Sequence, residues 1–175
     1  MKFSPRFGII TGFAVGIWNI TCFTIVGWFN NFFSLGIPAE RLRAYSGLLG
    51  IIILITGINF GIKAAKRNNG NAIGFAQAAK TGVFISIITA VMVAFFAWLY
   101  CTAINPGYTA YMVEQSRTAL LASGKKAIEI GPELERVRSQ FSTSSQVMQA
   151  LIAQSVTGSI SSVIIAFFNR TKKTS

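Results

Sequence analysis

The chain has 175 residues, 52% of them apolar and only 12% charged, so a water-soluble globule of this size would lack the polar surface to cover its core. The formal net charge of +11 would point to nucleic acid in a soluble protein, but here the basic residues sit at the ends of apolar runs, where they orient membrane helices, and no nucleic-acid partner is expected. His and Asp are absent, and the five acids, Glu40, Glu114, Glu129, Glu133 and Glu135, lie outside the apolar runs, which removes the commonest metal ligand and the most frequent general base.

Four stretches carry no Asp, Glu, Lys or Arg: 7–39, 44–62, 81–113 and 139–169. Each can hold a membrane span of about 20 residues. The first predicted span is 7–28; its basic flank resembles a signal peptide, but the apolar run is too long and lacks a small-x-small cleavage site. Pro38 and Glu40 then mark the start of the second helix, with span 45–62. Lys63, Lys66 and Arg67, followed by Asn68-Asn69-Gly70-Asn71, read as a compact basic turn able to meet an anionic headgroup. The stretch from Gly74 to Lys80 reads as an interfacial helix leading into span 82–104, with Lys80 snorkelling to the headgroups. Pro106-Gly107 ends that span. The connection 105–146 reads as a helical hairpin that breaks at Ser123-Gly124, resumes at Pro132 and continues into span 147–168. The fold class expected is thus all-α, a single integral membrane domain: a four-helix bundle with an extracytoplasmic helical hairpin between spans 3 and 4.

Orientation follows from Lys and Arg. Lys2, Arg6, Lys63, Lys66, Arg67, Lys80, Arg170, Lys172 and Lys173 fall on one side; Arg41, Arg43, Arg117, Lys125, Lys126, Arg136 and Arg138 fall on the other, mostly in the long third connection beside four Glu. Both termini are therefore expected in the cytoplasm. Trp28, Phe32, Phe33, Tyr45, Trp98, Tyr100, Tyr108 and Tyr111 gather near the opposite interface, as an aromatic belt does.

A stripe of small residues recurs in every span. Gly8, Gly12 and Gly16, then Gly47, Gly50, Gly57 and Gly61, then Gly82, Ser86, Ala90 and Ala94, and last Gly158, Ser162 and Ala166 lie at helical spacing. Lipid tails are as apolar as Leu, so membrane helices associate by close backbone approach, which small residues permit. Packing within one bundle is the expected role, and a subunit interface the alternative. Neither is chemistry.

The run Gly74-Phe75-Ala76-Gln77-Ala78-Ala79-Lys80-Thr81 comes close to a phosphate-binding loop, but Ala79 stands where that loop needs glycine and no strand precedes it. Asn19, Asn59 and Gln154 are uncharged intramembrane amides, and without a buried acid or base no proton relay is expected. Cys22 and Cys101 both fall toward the outer ends of spans 1 and 3; free thiols are expected, with a disulfide between them as the alternative. The two sequons, at Asn19 and Asn169, are in the bilayer and on the cytoplasmic side, where no sugar is added. No cofactor and no metal is expected.

The segment Gly61-Ile62-Lys63, Lys66-Arg67-Asn68-Asn69-Gly70 and the run from Gly74 to Gly82, with Asn105-Pro106-Gly107-Tyr108 after the third span, resembles a bacterial family of four-span membrane proteins. That family is catalogued as a domain of unknown function, number forty-one ninety-nine. The resemblance implies a bacterial cytoplasmic membrane and four spans; it carries no catalytic residues. The reading that results is a non-enzymatic accessory subunit or scaffold in a membrane complex, binding lipids and a protein partner or its own copies. The alternative is a transporter or channel for a small neutral solute.

Overall fold

The computed structural model describes residues 5–22, 24, 39–125 and 127–171. All its regular elements are helices: α1 (Arg6–Thr21), α2 (Ala39–Asn68), α3 (Phe75–Leu99, prolonged by a π-helical turn at Tyr100–Ile104), α4 (Tyr108–Ala122), α5 (Ala127–Gln140) and α6 (Thr143–Asn169). Three segments are long and apolar enough to cross a membrane: Gly47–Asn68, Phe75–Ile104 and Thr143–Asn169. The outer end of the expected first span, the Pro38 helix start, the belt positions Trp28, Phe32 and Phe33, and Lys2, Lys126, Lys172 and Lys173 lie outside the described residues.

The chain forms two compact units. The first comprises residues 1–93 and 151–175, and so holds α1, α2, most of α3 and most of α6. Its core is Leu54, Ile58, Ile62, Ile73, Ala78, Ile85 and Ala166. Around that core Ile10, Ile52, Phe60, Val91, Ile160, Ile164 and Phe168 are exposed. A surface so apolar would be an aggregation hazard in water, whereas acyl chains solvate it without cost.

α2 does not stop at Ile62. Nothing between Gly61 and Gly70 breaks a helix, and the residues from Ile62 to Arg67 are mostly good helix formers, so the expected basic turn is the last two turns of α2. The actual turn follows it. Ala72 N–H donates to the Asn69 carbonyl at 3.3 Å, and the two residues between, Gly70 and Asn71, have φ of 65° and 61°. These are the residue types that accept a left-handed backbone at least cost. The turn is also sewn to the end of α6: Thr171 N–H donates to the Ile73 carbonyl at 2.9 Å, and Ile73 N–H donates to Thr171 Oγ1 at 3.0 Å.

The second unit is residues 94–150. α4 and α5 are joined at Gly124, whose φ is 77°. Gly124 N–H donates to the Leu121 carbonyl and Lys125 N–H to that of Leu120, the paired bonds that close a Schellman turn. α5 begins at Ala127, five residues before the expected start at Pro132. Pro132 thus lies within the helix and cannot donate to the Ile128 carbonyl; Ile128 is 84% exposed, so water can take that acceptor. Nor does α5 run on into the next helix. The chain breaks at Phe141 and Ser142, where Ser142 Oγ accepts from Ser145 N–H at 3.4 Å and starts α6. The side-chain amides of Gln146 and Gln149 both donate to the Gln140 carbonyl, at 3.0 and 3.1 Å, which satisfies the end of α5.

Candidate functional site

The seams of the first unit are where the small residues meet. An added Cβ at Gly158 would lie 2.5 Å from Ser86 Cβ, and one at Gly82 would lie 2.6 Å from Ser162 Cβ. α3 and α6 therefore touch through Gly82, Ser86, Gly158 and Ser162, the two hydroxyls 3.3 Å apart. Each serine also donates back to its own helix, Ser86 to the Gly82 carbonyl and Ser162 to that of Gly158, so the polar atoms in the seam are satisfied without water. Gly8 faces Ile88 and Gly12 faces Met92, and Thr89 Oγ1 donates across to the Gly8 carbonyl at 3.2 Å. Gly57 faces Thr11, and Gly61 faces Ile85 with Phe7 beside it.

Other positions of the stripes differ. Gly16 and Ala90 are buried, and Gly50 has Asn19 and Val15 at 3.8 Å from an added Cβ, an ordinary contact distance. Gly47 is exposed, and an added Cβ there would meet nothing within 4 Å among the described residues. Periodicity alone cannot separate Gly47 from Gly57.

Of the four basic residues expected at headgroups, Lys63 and Arg67 come together, exposed on one face at i,i+4 spacing. Lys66 points elsewhere: its Nζ donates to the Asn169 carbonyl at 3.1 Å, a cation on the C-terminus of α6. Asn169 in turn donates to Asn59 Oδ1 at 3.2 Å, so this intramembrane amide is paired. Lys80 is exposed, in the second turn of α3. Lys63 and Arg67, with Asn68, form one end of a groove of about 540 Å³ between α1 and α2, whose walls are Phe7, Ile10 and Phe60. The Thr11–Gly57 contact forms its floor. Sequence reasoning found the basic residues but not the groove, because no spacing in α2 shows which residues of α1 lie opposite.

In the second unit Tyr108 is 6% exposed and packs edge-on to both Tyr100 and Phe141, with ring centroids 5.6 and 6.2 Å away. Cys101 and Met112 complete this cluster. Tyr108 is thus a core residue of its unit rather than a member of an interfacial belt, whereas Trp98 and Tyr111 are half exposed. Asn105 donates to the Tyr100 hydroxyl at 3.1 Å, and Thr109 Oγ1 to the Phe141 carbonyl at 2.8 Å, which ties the turn after α3 to the start of α4 and the end of α5. Arg117–Glu114, Arg136–Glu133 and Arg138–Glu135 are exposed i,i+3 pairs. Cys22 and Cys101 are not joined in a disulfide. Among the described residues no group of three or more His, Cys, Asp or Glu could hold a metal ion.

A family model described as Protein of unknown function (DUF4199) matches residues 6–171, from the first turn of α1 to the residue that closes on Ile73. The chain belongs to this family. The match to DUF4199 embraces all six helices, so both units lie within what the family shares. No curated protein and no solved structure matches the chain. This member of DUF4199 is a small all-α membrane protein with several apolar helices.

Proposed function

We propose that the chain spans a bacterial cytoplasmic membrane four times with both termini in the cytoplasm, and acts as a non-enzymatic accessory subunit or scaffold within a membrane complex. The observation that carries this reading is the seam of α3 and α6, where Gly82, Ser86, Gly158 and Ser162 leave no room for a methyl group and keep their hydroxyls bonded internally. Helices closed in this way suit a rigid support better than a passage for water or solute. The distribution of Lys and Arg supports the orientation, and α4 with α5 then supplies an extracytoplasmic hairpin for a partner. A neutral-solute transporter is favoured by one observation: Gln154 Oε1 is buried with no hydrogen-bond partner among the described residues. Blue native electrophoresis of membranes expressing the chain at its natural level tests the proposal. A defined assembly heavier than the chain itself, lost when Gly158 is replaced by Leu, is expected. A lone monomer under mild extraction, with solute uptake in proteoliposomes abolished by Gln154→Leu, overturns it in favour of the transporter.

A further inference from the structure

The groove between α1 and α2 combines two properties that are rarely useful to a protein in isolation. Its walls are apolar and exposed, Ile10 at 65% and Phe60 at 58%, while its end carries two cations and an amide, Lys63, Arg67 and Asn68. From Gly57 to Arg67 the groove extends about 15 Å by helix rise, a good part of the half-thickness of a hydrocarbon core.

The charges at that end are unbalanced. The only acid of the first unit is Glu40, which lies on α2 about 35 Å from Lys63 by helix rise. Lys66, the neighbouring cation, is committed to the Asn169 carbonyl and does not line the groove. The two that do, Lys63 and Arg67, have no ion-pair partner among the described residues. A greasy channel leading to an unpaired Lys and Arg complements one kind of molecule: a long hydrocarbon chain ending in a phosphate.

We infer that this groove binds an anionic phospholipid, with one acyl chain lying along Phe7, Ile10 and Phe60 and the phosphate held by Lys63 and Arg67. The guanidinium of Arg67 offers a planar fork to two phosphate oxygens, Lys63 adds a point charge, and the Asn68 amide can donate to the headgroup. A second copy of the chain fits less well, because its matching surface would bring the same cations against themselves. The inference rests on the membrane reading given above.

Native mass spectrometry of the full chain in mild detergent tests it, with phosphatidylglycerol and phosphatidylcholine of identical acyl chains as probes and glycerol phosphate as a chainless competitor. Wild-type protein is expected to retain phosphatidylglycerol about tenfold more tightly, and Lys63→Gln with Arg67→Gln to weaken it about 30-fold, at roughly fivefold per charge, while Lys80→Gln changes it less than about twofold. Ile10→Trp, which fills the groove, is expected to lower retention of both lipids. Equal retention of the two lipids by wild-type protein overturns the inference, and this comparison stands even if a variant fails to fold. Displacement by glycerol phosphate at concentrations comparable to the lipid overturns it in favour of a free phosphate ligand, and a dimer that dissociates in the double variant overturns it in favour of a second copy. Carbonate washing separates the two failures: a chain that leaves the membrane sinks the membrane reading, whereas a chain that stays but shows no lipid preference sinks the groove alone.

Discussion

The two units of this chain solve the same packing problem in different ways. In residues 1–93 with 151–175, helices approach until Gly82 and Gly158 have no space for a Cβ, and the polar atoms between them are hydroxyls bonded to their own helix. In residues 94–150, contact is made by large rings and a thioether, Tyr100, Tyr108, Phe141 and Met112, and the surface carries three ion pairs. On the topology proposed above, with α4 and α5 outside the membrane, the difference reflects the solvent each set of helices meets. Where lipid surrounds a helix, burying a large apolar side chain gains little, so close backbone contact decides association. Where water surrounds it, removal of aromatic area from solvent decides.

The sharpest way to break this contrast is to add bulk to a seam. Gly158→Leu is expected to destabilise the chain by about 3 kcal/mol, the upper end of overpacking, read as the midpoint of denaturation by dodecyl sulfate in mixed micelles. Gly47→Leu, on the same kind of stripe but with nothing within 4 Å of an added Cβ among the described residues, is expected to shift that midpoint by less than about 1 kcal/mol, and to higher stability. If the two glycines respond alike, the seam is not what holds the first unit. Tyr108→Ala should cost about 2 kcal/mol, and hydrogen exchange should quicken in α4 and α5 while α1 and α2 stay protected. Uniform loosening of all six helices would show that the two units do not fold by separate rules.

Smaller effects sharpen the contrast further. Removing both Ser86 and Ser162 hydroxyls should cost about 0.6 kcal/mol in coupling energy, because each already satisfies its own helix and only the bond between them is lost. A double-mutant cycle measures it; a coupling several times larger would mean that the serines, not the glycines, join α3 to α6. Arg138→Ala, which removes an ion pair exposed on both partners, should change stability by no more than about 0.5 kcal/mol in low salt and by nothing measurable in high salt.

Long uncharged runs made the helices of α2, α3 and α6 legible, since no other element of that length satisfies its backbone bonds in lipid. Helix ends were harder to place. The positive charges after Ile62 suggested a turn, but charge does not stop a helix and Gly70 does. Pro132 suggested a start, yet a helix with its early carbonyls exposed tolerates proline inside it. The break at Phe141-Ser142 follows from a serine cap and two glutamine amides that converge on Gln140, a junction that hydropathy does not register.

Composition and spacing, by themselves, determined that the chain is helical, that its apolar runs need lipid, and which residues are small enough to let helices touch. They could do so because the period of a helix and the thickness of a bilayer are common to all such chains. Only the tertiary structure decided that Gly57 meets Thr11 while Gly47 meets nothing described, that Tyr108 turns inward, and that Lys66 caps α6 while Lys63 and Arg67 remain beside a groove. Each of those outcomes depends on which face of a second helix lies opposite, and that is a property of the pair rather than of either sequence.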